Sequence, residues 1–218
     1  MAPTLTFNIM DRLFTYKTLF VTGIDTDAGK TYATAAVARA MMDAGYTVAT
    51  QKFIQTGCTG SSEDIDAHRR LCGIAPLPED LDHTTAPIIF SYPCSAQLAA
   101  RLDGREIDLA AVDRSRAILE ERYDRLLIEG AGGLMVPVTD DTVIIDYIES
   151  RRIPTVLVTN GRLGSINHTL LSLEAIARRD IPLAAVLYNR HFDTDTVIAD
   201  DTRGYLRRHL GAVPLIEF

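Results

Sequence analysis

Cysteine is scarce in this chain, and the few cysteines present exclude two common structural devices. Cys58, Cys72 and Cys94 are odd in number and show no Cys-x-x-Cys spacing. Neither a disulfide framework nor a zinc site is therefore indicated, and reduced thiols are typical of a cytoplasmic protein. The five histidines lack the spacing of metal ligands, and no Gly-x-Ser-x-Gly motif occurs. Zinc enzymes and hydrolases with a nucleophile elbow are excluded on these grounds.

Excess positive charge is also missing. The chain has 22 Lys and Arg against 29 Asp and Glu, a formal net charge of -7. Because surfaces that bind nucleic acid or adsorb to membranes need surplus Lys and Arg, neither partner is expected. No apolar run is long enough to span a bilayer, and the first sixteen residues show no basic segment followed by an apolar one. The sequence predicts a soluble, cytoplasmic protein.

What the chain does contain is enough apolar sequence for one substantial core, since 47% of its 218 residues are hydrophobic. Continuous apolar runs predict buried parallel strands over 18–22, 47–52, 126–129, 155–159 and 183–189. Amphipathic segments predict helices over 30–44, 95–103, 108–122, 142–151, 165–179 and 196–209. This alternation predicts a single α/β domain over 1–218, with a mostly parallel central sheet and helices on both faces.

Two segments between the predicted elements carry turn residues and no periodicity. Residues 57–66 are rich in Gly and Ser and predict a mobile loop. Residues 76–93 predict an irregular excursion.

The most informative stretch is 20–31, where an apolar strand leads into a glycine-bracketed loop that ends in Gly-Lys-Thr. Backbone N–H groups of such a loop point inward, and the positive end of the following helix favours anions. Lys30 can then reach the β- and γ-phosphates of a nucleotide, and the Thr31 hydroxyl can bind Mg²⁺. Five residues separate Gly23 from Gly29, one more than the usual pattern. The loop predicts a nucleoside triphosphate site; the alternative, a chance glycine loop, is disfavoured by the strand and helix around it.

Charged residues follow the next predicted strands. Lys52 ends the second strand and Glu129 the third, at the sheet edge where the phosphate loop lies. Lys52 is then either a second cation near the γ-phosphate or a solvated surface charge. Glu129 is either a Mg²⁺ ligand or the cap of a turn. Asp64 and Asp66 could supply another metal ligand, but a role in capping a helix start is favoured for acids beside Ser61 and Ser62.

The last two predicted strands end in turns that could bind ligands. A glycine turn at 161–164 opens a helix at Ser165, whose exposed N–H groups suit a substrate carboxylate; simple capping by Ser165 or Gly164 is the alternative. Asn189 carries an amide that could bind an adenine edge, or that could stabilise a local turn.

These motifs, in this order, resemble the dethiobiotin synthetase family, whose members have a P-loop NTPase-like fold. Its motifs are matched by the longer phosphate loop at 22–31, the lysine motif at 52–57, the Glu-Gly-Ala-Gly-Gly turn at 129–133, the segment 164–168, and Asn189. The resemblance covers most of the chain. It implies a homodimer, with active sites at the subunit interface, that joins CO₂ to 7,8-diaminononanoate with ATP and Mg²⁺ and closes a cyclic urea.

The resemblance also implies residue roles. The catalytic residues are Lys52, Lys30 and Thr26. Nucleotide binding is assigned to Asp27, Ala28, Gly29, Lys30, Thr31, Tyr32 and Asn189. The Mg²⁺ ligands are Thr31, Asp66 and Glu129, with Asp66 preferred over Asp64 because an Asp-Ala pair before a polar helix matches the family pattern. Substrate binding is assigned to Thr56, Gly132, Ser165 and Asn167. The chain departs from the family at Phe53, where proline is usual, and at 95–97, where Ser-Ala-Gln replaces Ser-Pro-His.

Two other classes of protein are alternatives to this family. A nucleotide-switch ATPase of the partitioning type predicts a lysine early in the phosphate loop, where this chain has Ile24 and Asp25, and its acidic composition does not suit DNA. An ATP-dependent amidoligase of the cobyrinate-synthase kind normally continues into a glutaminase domain, for which this sequence is too short.

Overall fold

A computed structural model describes residue 10 and residues 12–218. The predicted domain over 1–218 thus extends to residues 1–9 and 11, which lie outside the described residues. The strands are β1 (Thr18–Gly23), β2 (Val48–Lys52), β3 (Gln55–Thr56), β4 (Ile89–Phe90), β5 (Arg125–Gly133), β6 (Thr155–Asn160), β7 (Leu183–Asn189) and β8 (Leu215–Glu217). The helices are α1 (Lys30–Asp43), α2 (Glu63–Cys72), α3 (Pro78–Leu81), α4 (Ala96–Leu102), α5 (Leu109–Arg122), α6 (Ile144–Arg151), α7 (Ser165–Arg178) and α8 (Thr196–Leu210).

Six strands form the central sheet in the order β2-β5-β1-β6-β7-β8, and each neighbouring pair is parallel. The short strands β3 and β4 pair separately, also in parallel. Because all central strands point the same way, their carboxyl ends share one edge, where ligands bind in such sheets. The predicted fold class is confirmed.

Alternate side chains of the same strand pack into two different cores. Leu19 and Val21 of β1 join Ala33 and Met41 of α1 in one core. Phe20, between them, packs into the other core with residues of α5, α6 and α8. Burial of both sheet faces explains why these strands read as continuous apolar runs.

The structure corrects three local predictions. Residues 63–66 belong to helix α2, because the Ser62 hydroxyl accepts a hydrogen bond from the Ile65 N–H (3.3 Å) and caps its start. The excursion at 76–93 contains α3 and β4, which are too short to show periodicity. Strand β5 continues through the predicted turn to Gly133, which pairs with Gly23.

In the part of the chain that the structure describes, no helix combines the length and apolarity that a membrane crossing requires.

Candidate active site

The phosphate loop joins β1 to α1 and contains a short 3₁₀ turn at Thr26–Ala28. Gly29 has a φ of 98°, in the left-handed region that favours glycine. A Cβ built on Gly29 would lie 2.2 Å from the Asn189 Nδ2 atom, at the end of β7. Only glycine therefore fits between the loop and Asn189.

Lys30 is almost fully buried at the start of α1. Its Nζ atom donates hydrogen bonds to the carbonyl oxygens of Asp25 (2.9 Å) and Thr26 (3.0 Å). Burial, followed by repulsion from Lys52, lowers the pKa of Lys30 from 10.5 to about 8. Lys30 precedes Thr31, whose hydroxyl lies 3.0 Å from the Glu129 oxygen that also contacts Lys52, so both lysines lie at the phosphate loop.

Lys52 sits between two carboxylates. Its Nζ atom lies 2.8 Å from Glu129 Oε1 and 2.5 Å from Asp64 Oδ2, and donates to the Gly130 carbonyl (3.1 Å). Burial opposes the charge of Lys52, but Glu129 and Asp64 outweigh it and raise the lysine's pKa. Burial likewise opposes the charge of Glu129, while Lys52 and His68 hold its pKa below the usual range. Lys52 and Glu129 are therefore both charged at neutral pH.

Thr31 completes this cluster. Its Oγ1 atom lies 3.0 Å from Glu129 Oε1 and 3.1 Å from Asp64 Oδ1. Asp66, the ligand preferred from the family pattern, lies elsewhere: it is exposed, and its carboxylate accepts a hydrogen bond from Ser61 (3.2 Å). Two residues of α2 are about half a helical turn, so the two side chains point to different sides of the helix. Asp64 therefore joins the cluster of Thr31 and Lys52, and Asp66 does not.

The donor set fits Mg²⁺ bound together with a nucleotide. Within the described residues, no group of three His, Cys, Asp or Glu side chains is placed to hold a metal by itself. Two carboxylates and one hydroxyl are hard oxygen donors, and Mg²⁺ usually takes one or two carboxylates plus substrate phosphates.

A cavity of about 600 Å³ lies beside the phosphate loop. Its lining includes Thr26, Asp27, Gly29, Lys30, Thr31, Tyr32, Arg162, Asn189, His191, Phe192 and Phe218. The Arg162 guanidinium carbon lies 3.8 Å from the centre of the Phe192 ring. Sequence reasoning missed these two residues, although Arg162 lies just beyond the end of β6, the kind of position where ligands bind.

Asn189 lines this cavity but also stabilises the turn around it. Its Nδ2 donates to the Ala28 carbonyl (3.1 Å), and its Oδ1 accepts from the His191 N–H (3.0 Å). Each amide atom retains one further hydrogen-bonding position. Asn189 therefore ties the phosphate loop to β7 and can still contact a base.

A second cavity, of about 450 Å³, lies on the other side of Thr26, which lines both cavities. Its lining also includes Ile24, Asp25, Gly133, Met135, Val136, His168 and Leu171. Gly132 is adjacent, because a Cβ built there would lie 3.7 Å from Thr26 Oγ1. Thr26 is thus the junction of the two cavities.

None of the four predicted substrate residues lines either cavity, although Gly132 lies beside the second. Ser165 is buried, and its hydroxyl lies 2.6 Å from the Asn160 carbonyl and 2.7 Å from the Arg162 carbonyl. These contacts stabilise the turn before α7, and the residue at the N-cap of that helix is Gly164. Asn167 is exposed on the first turn of α7, next to His168, which does line the second cavity. Thr56, in β3, is absent from both linings.

The loop, the sheet order and the lysine cluster define a P-loop NTPase. A family model described as an AAA domain matches residues 17–217. Solved structures of similar fold include FlhF complexed with GMPPNP and Mg²⁺ (TM-score 0.52, 13% identity, 97% of this chain and 70% of that one). A ParA family ATPase from Chlorobium tepidum is also similar (TM-score 0.52, 18% identity, 93% and 84%). At these identities the likeness shows the fold alone.

Curated relatives make the assignment narrower. The ATP-dependent dethiobiotin synthetase BioD 2 of Pasteurella multocida is 47% identical over 194 residues, covering 89% of this chain and 91% of that protein. The enzymes of Chlorobaculum tepidum and Haemophilus influenzae are each 48% identical, over 91% and 84% of this chain and 85% and 95% of theirs. The chain belongs to the ATP-dependent dethiobiotin synthetase family, which confirms the resemblance found in the sequence.

Proposed function

We propose that the chain joins CO₂ to 7,8-diaminononanoate at the expense of ATP and so forms the cyclic urea of dethiobiotin, a step of biotin biosynthesis. The observation that carries this proposal is the cluster of Lys52, Glu129 and Asp64 around Thr31 of the phosphate loop. The relatives' names support it, since all are ATP-dependent dethiobiotin synthetases. A partitioning ATPase shares the fold only.

The chemistry suits this cluster. One amine of the substrate captures CO₂ as a carbamate, and a carbamate oxygen attacks the γ-phosphorus of ATP while ADP leaves. The second amine then attacks the carbonyl carbon of the carbamic-phosphoric anhydride and expels phosphate. Negative charge grows on the phosphoryl oxygens, so Lys30 and Lys52 contribute most by neutralising it.

Mg²⁺, when bound, neutralises phosphate charge and orients the γ-phosphoryl group. Thr31, Asp64 and Glu129 would hold it, with Asp64 replacing the Asp66 of the family pattern. Asp27, Ala28, Gly29 and Tyr32 would contact the nucleotide at the phosphate loop, and Asn189 its base. The base would lie near Arg162 and Phe192.

The second cavity is the proposed diamine site, with Thr26 at the junction between carbamate and γ-phosphate and Gly132 beside it. Met135 and Leu171 line this cavity with 59% and 57% of their surface exposed. Their exposure supports a homodimer in which a second copy covers the cavity and Asn167 serves the site across the interface. We further propose that 1–218 works as one domain in the cytoplasm.

The direct test is phosphate release from ATP in the presence of bicarbonate, with and without 7,8-diaminononanoate. The proposal requires release that depends on the diamine, with dethiobiotin as product. Release at the same rate without the diamine would indicate a switch ATPase instead.

Asp64 and Asp66 offer a matched pair for testing the metal ligands. We expect Asp64→Asn to raise the Mg²⁺ concentration for half-maximal activity by at least about tenfold. That is the lower end of the loss in metal affinity found when residues around a metal site are replaced. Asp66→Asn should leave it unchanged, because that carboxylate faces Ser61. A Mg²⁺ titration of the activity of both variants measures this. A larger Mg²⁺ requirement in Asp66→Asn than in Asp64→Asn would show that Asp66 is the metal ligand.

Lys30 should titrate near pH 8 in the nucleotide-free protein. Because a lysine loses its charge as pH rises through its pKa, ATP affinity should fall above pH 8, and ATP binding should raise the pKa of Lys30. The chain has three lysines, so NMR of lysine side chains labelled with carbon-13 gives few signals. Exposed Lys17 gives a reference signal, and a Lys30 midpoint near the ordinary lysine value of 10.5 would contradict the prediction.

A further inference from the structure

A chain of hydrogen bonds runs through the protein interior to Glu129. The Arg69 Nη1 atom lies 2.9 Å from Thr50 Oγ1, which lies 3.0 Å from His68 Nδ1. His68 Nε2 lies 2.7 Å from Glu129 Oε2. We call Arg69, Thr50, His68 and Glu129 the buried relay. Each member has 3% or less of its surface exposed, so no solvent contact determines its geometry.

The direction of every bond in the buried relay follows from its fixed end. Arg69 is always protonated and can only donate, so Thr50 Oγ1 accepts from it. Asp80 holds the guanidinium in place through two bonds of 2.8 Å. The single Thr50 proton is then directed to His68 Nδ1, which must be unprotonated to accept it. The His68 proton therefore sits on Nε2 and is donated to Glu129.

We propose that His68 is a positioning residue for the reaction and that Arg69 and Thr50 fix its tautomer. With Oε2 of Glu129 held by His68, the other oxygen, Oε1, faces Thr31 (3.0 Å) and Lys52 (2.8 Å). A hydrogen bond at Oε2 restricts rotation of the carboxylate and so favours the orientation in which Oε1 faces the phosphate loop. This inference rests on the proposed function, because it assigns Glu129 to the metal and phosphoryl site.

The alternative tautomer conflicts with the contacts. A proton on Nδ1 would point at Thr50 Oγ1, which would leave the buried threonine proton without an acceptor. Nε2 would then face the carboxylate of Glu129 with a lone pair, so that two acceptors would meet at 2.7 Å. Both faults carry the penalty of unsatisfied buried groups.

The first test uses the nucleotide-free, metal-free protein and needs no activity. Nitrogen-15 NMR of labelled histidine, with His68 assigned by the loss of its signal in His68→Gln, reports which ring nitrogen carries the proton. We expect Nε2 to carry it in the unsubstituted protein and a mixture of tautomers in Thr50→Val. Thr34→Val is the matched control, since Thr34 is also a buried threonine and its hydroxyl has no partner among the described residues. A proton on Nδ1 in the unsubstituted protein overturns the proposal.

The second test measures the consequence at the site. His68→Leu should weaken binding of Mn²⁺, followed by electron paramagnetic resonance in the presence of a non-hydrolysable ATP analogue, by about 10–100-fold. The same variant should raise the Mg²⁺ concentration for half-maximal turnover by the same factor. Compared with His68→Leu, His68→Gln should restore most of the Mn²⁺ affinity and of the normal Mg²⁺ requirement, because its amide can donate near the Nε2 position. The side chain in His68→Asn is too short to reach Glu129 and should restore neither.

Equal Mn²⁺ affinity in His68→Leu and the unsubstituted protein contradicts the positioning role. Absence of diamine-dependent phosphate release from the unsubstituted protein would instead refute the proposed function. The tautomer measurement is independent of that result.

Discussion

Replacing Lys52 with methionine is expected to lower kcat by about 10² or more, in the range found for removing a transition-state stabiliser. ATP affinity should change little, because Lys30 and the loop N–H groups bind the phosphates in the ground state. Methionine keeps most of the length of the side chain but leaves Glu129 and Asp64 without their cation. Steady-state kinetics with saturating diamine, together with ATP binding by calorimetry, separate the two effects.

Lys17→Met is the control for this experiment. Lys17 is exposed and donates to the Tyr123 carbonyl; both residues precede the starts of β1 and β5, at the opposite edge of the sheet from the site. The kcat of Lys17→Met should therefore stay at the unsubstituted level. Unchanged turnover in Lys52→Met would remove Lys52 from the mechanism. Circular dichroism of both variants distinguishes a catalytic loss from unfolding.

Gly29→Ala is expected to destabilise the phosphate loop through two separate causes. The left-handed φ of 98° costs about 1–3 kcal/mol for a residue with a Cβ. The Cβ would also lie 2.2 Å from Asn189 Nδ2, and such overpacking costs about 1–3 kcal/mol more. Since the loop must adopt this conformation to present its N–H groups, ATP affinity should fall along with the free energy of unfolding.

Gly45→Ala separates the two causes. Gly45 has a φ of 93°, but a Cβ there would have nothing within 4 Å. Denaturant unfolding should therefore show that the backbone strain lowers the free energy of unfolding in both variants. The close contact with Asn189 should lower it further only in Gly29→Ala. Adding Asn189→Ala to Gly29→Ala should recover part of the difference. Equal losses in the two single variants would show that the contact with Asn189 does not matter.

Much of the fold was predictable because its pattern is local. The strands of a parallel sheet covered on both faces are continuous apolar runs, and the segment 18–22 shows this in sequence as clearly as β1 shows it in the structure. The loop before Lys30 was predictable for a similar reason, since a strand, a glycine loop and a helix are contiguous. The short elements α3, β4 and β8 carry too few residues for periodicity to identify them.

The site was predictable only where its residues follow strands directly. Lys52 and Glu129 end β2 and β5, and neighbouring parallel strands bring them together. Asp64 and Asp66 lie on a helix, where residues two positions apart point to different sides. Only one of the two carboxylates can therefore face Thr31 and Lys52. The helix starts after its cap, Ser62, and that start determines which aspartate faces the site. The sequence alone did not give this position, so it could not distinguish Asp64 from Asp66. His68 was missed because its role depends on Thr50 and Arg69, whose contacts arise only from packing of α2 on β2.

The most direct test of the proposed reaction determines whether an oxygen atom of bicarbonate is transferred to the released phosphate. If a carbamate oxygen attacks the γ-phosphorus and leaves with phosphate, then bicarbonate labelled with oxygen-18 must transfer one labelled oxygen to each phosphate released. Mass spectrometry of the phosphate, after a reaction time short enough to limit exchange with water, measures that transfer. We predict labelled phosphate formed together with dethiobiotin. Phosphate without the label, at the same turnover, would show that water attacks ATP and would contradict the proposed reaction.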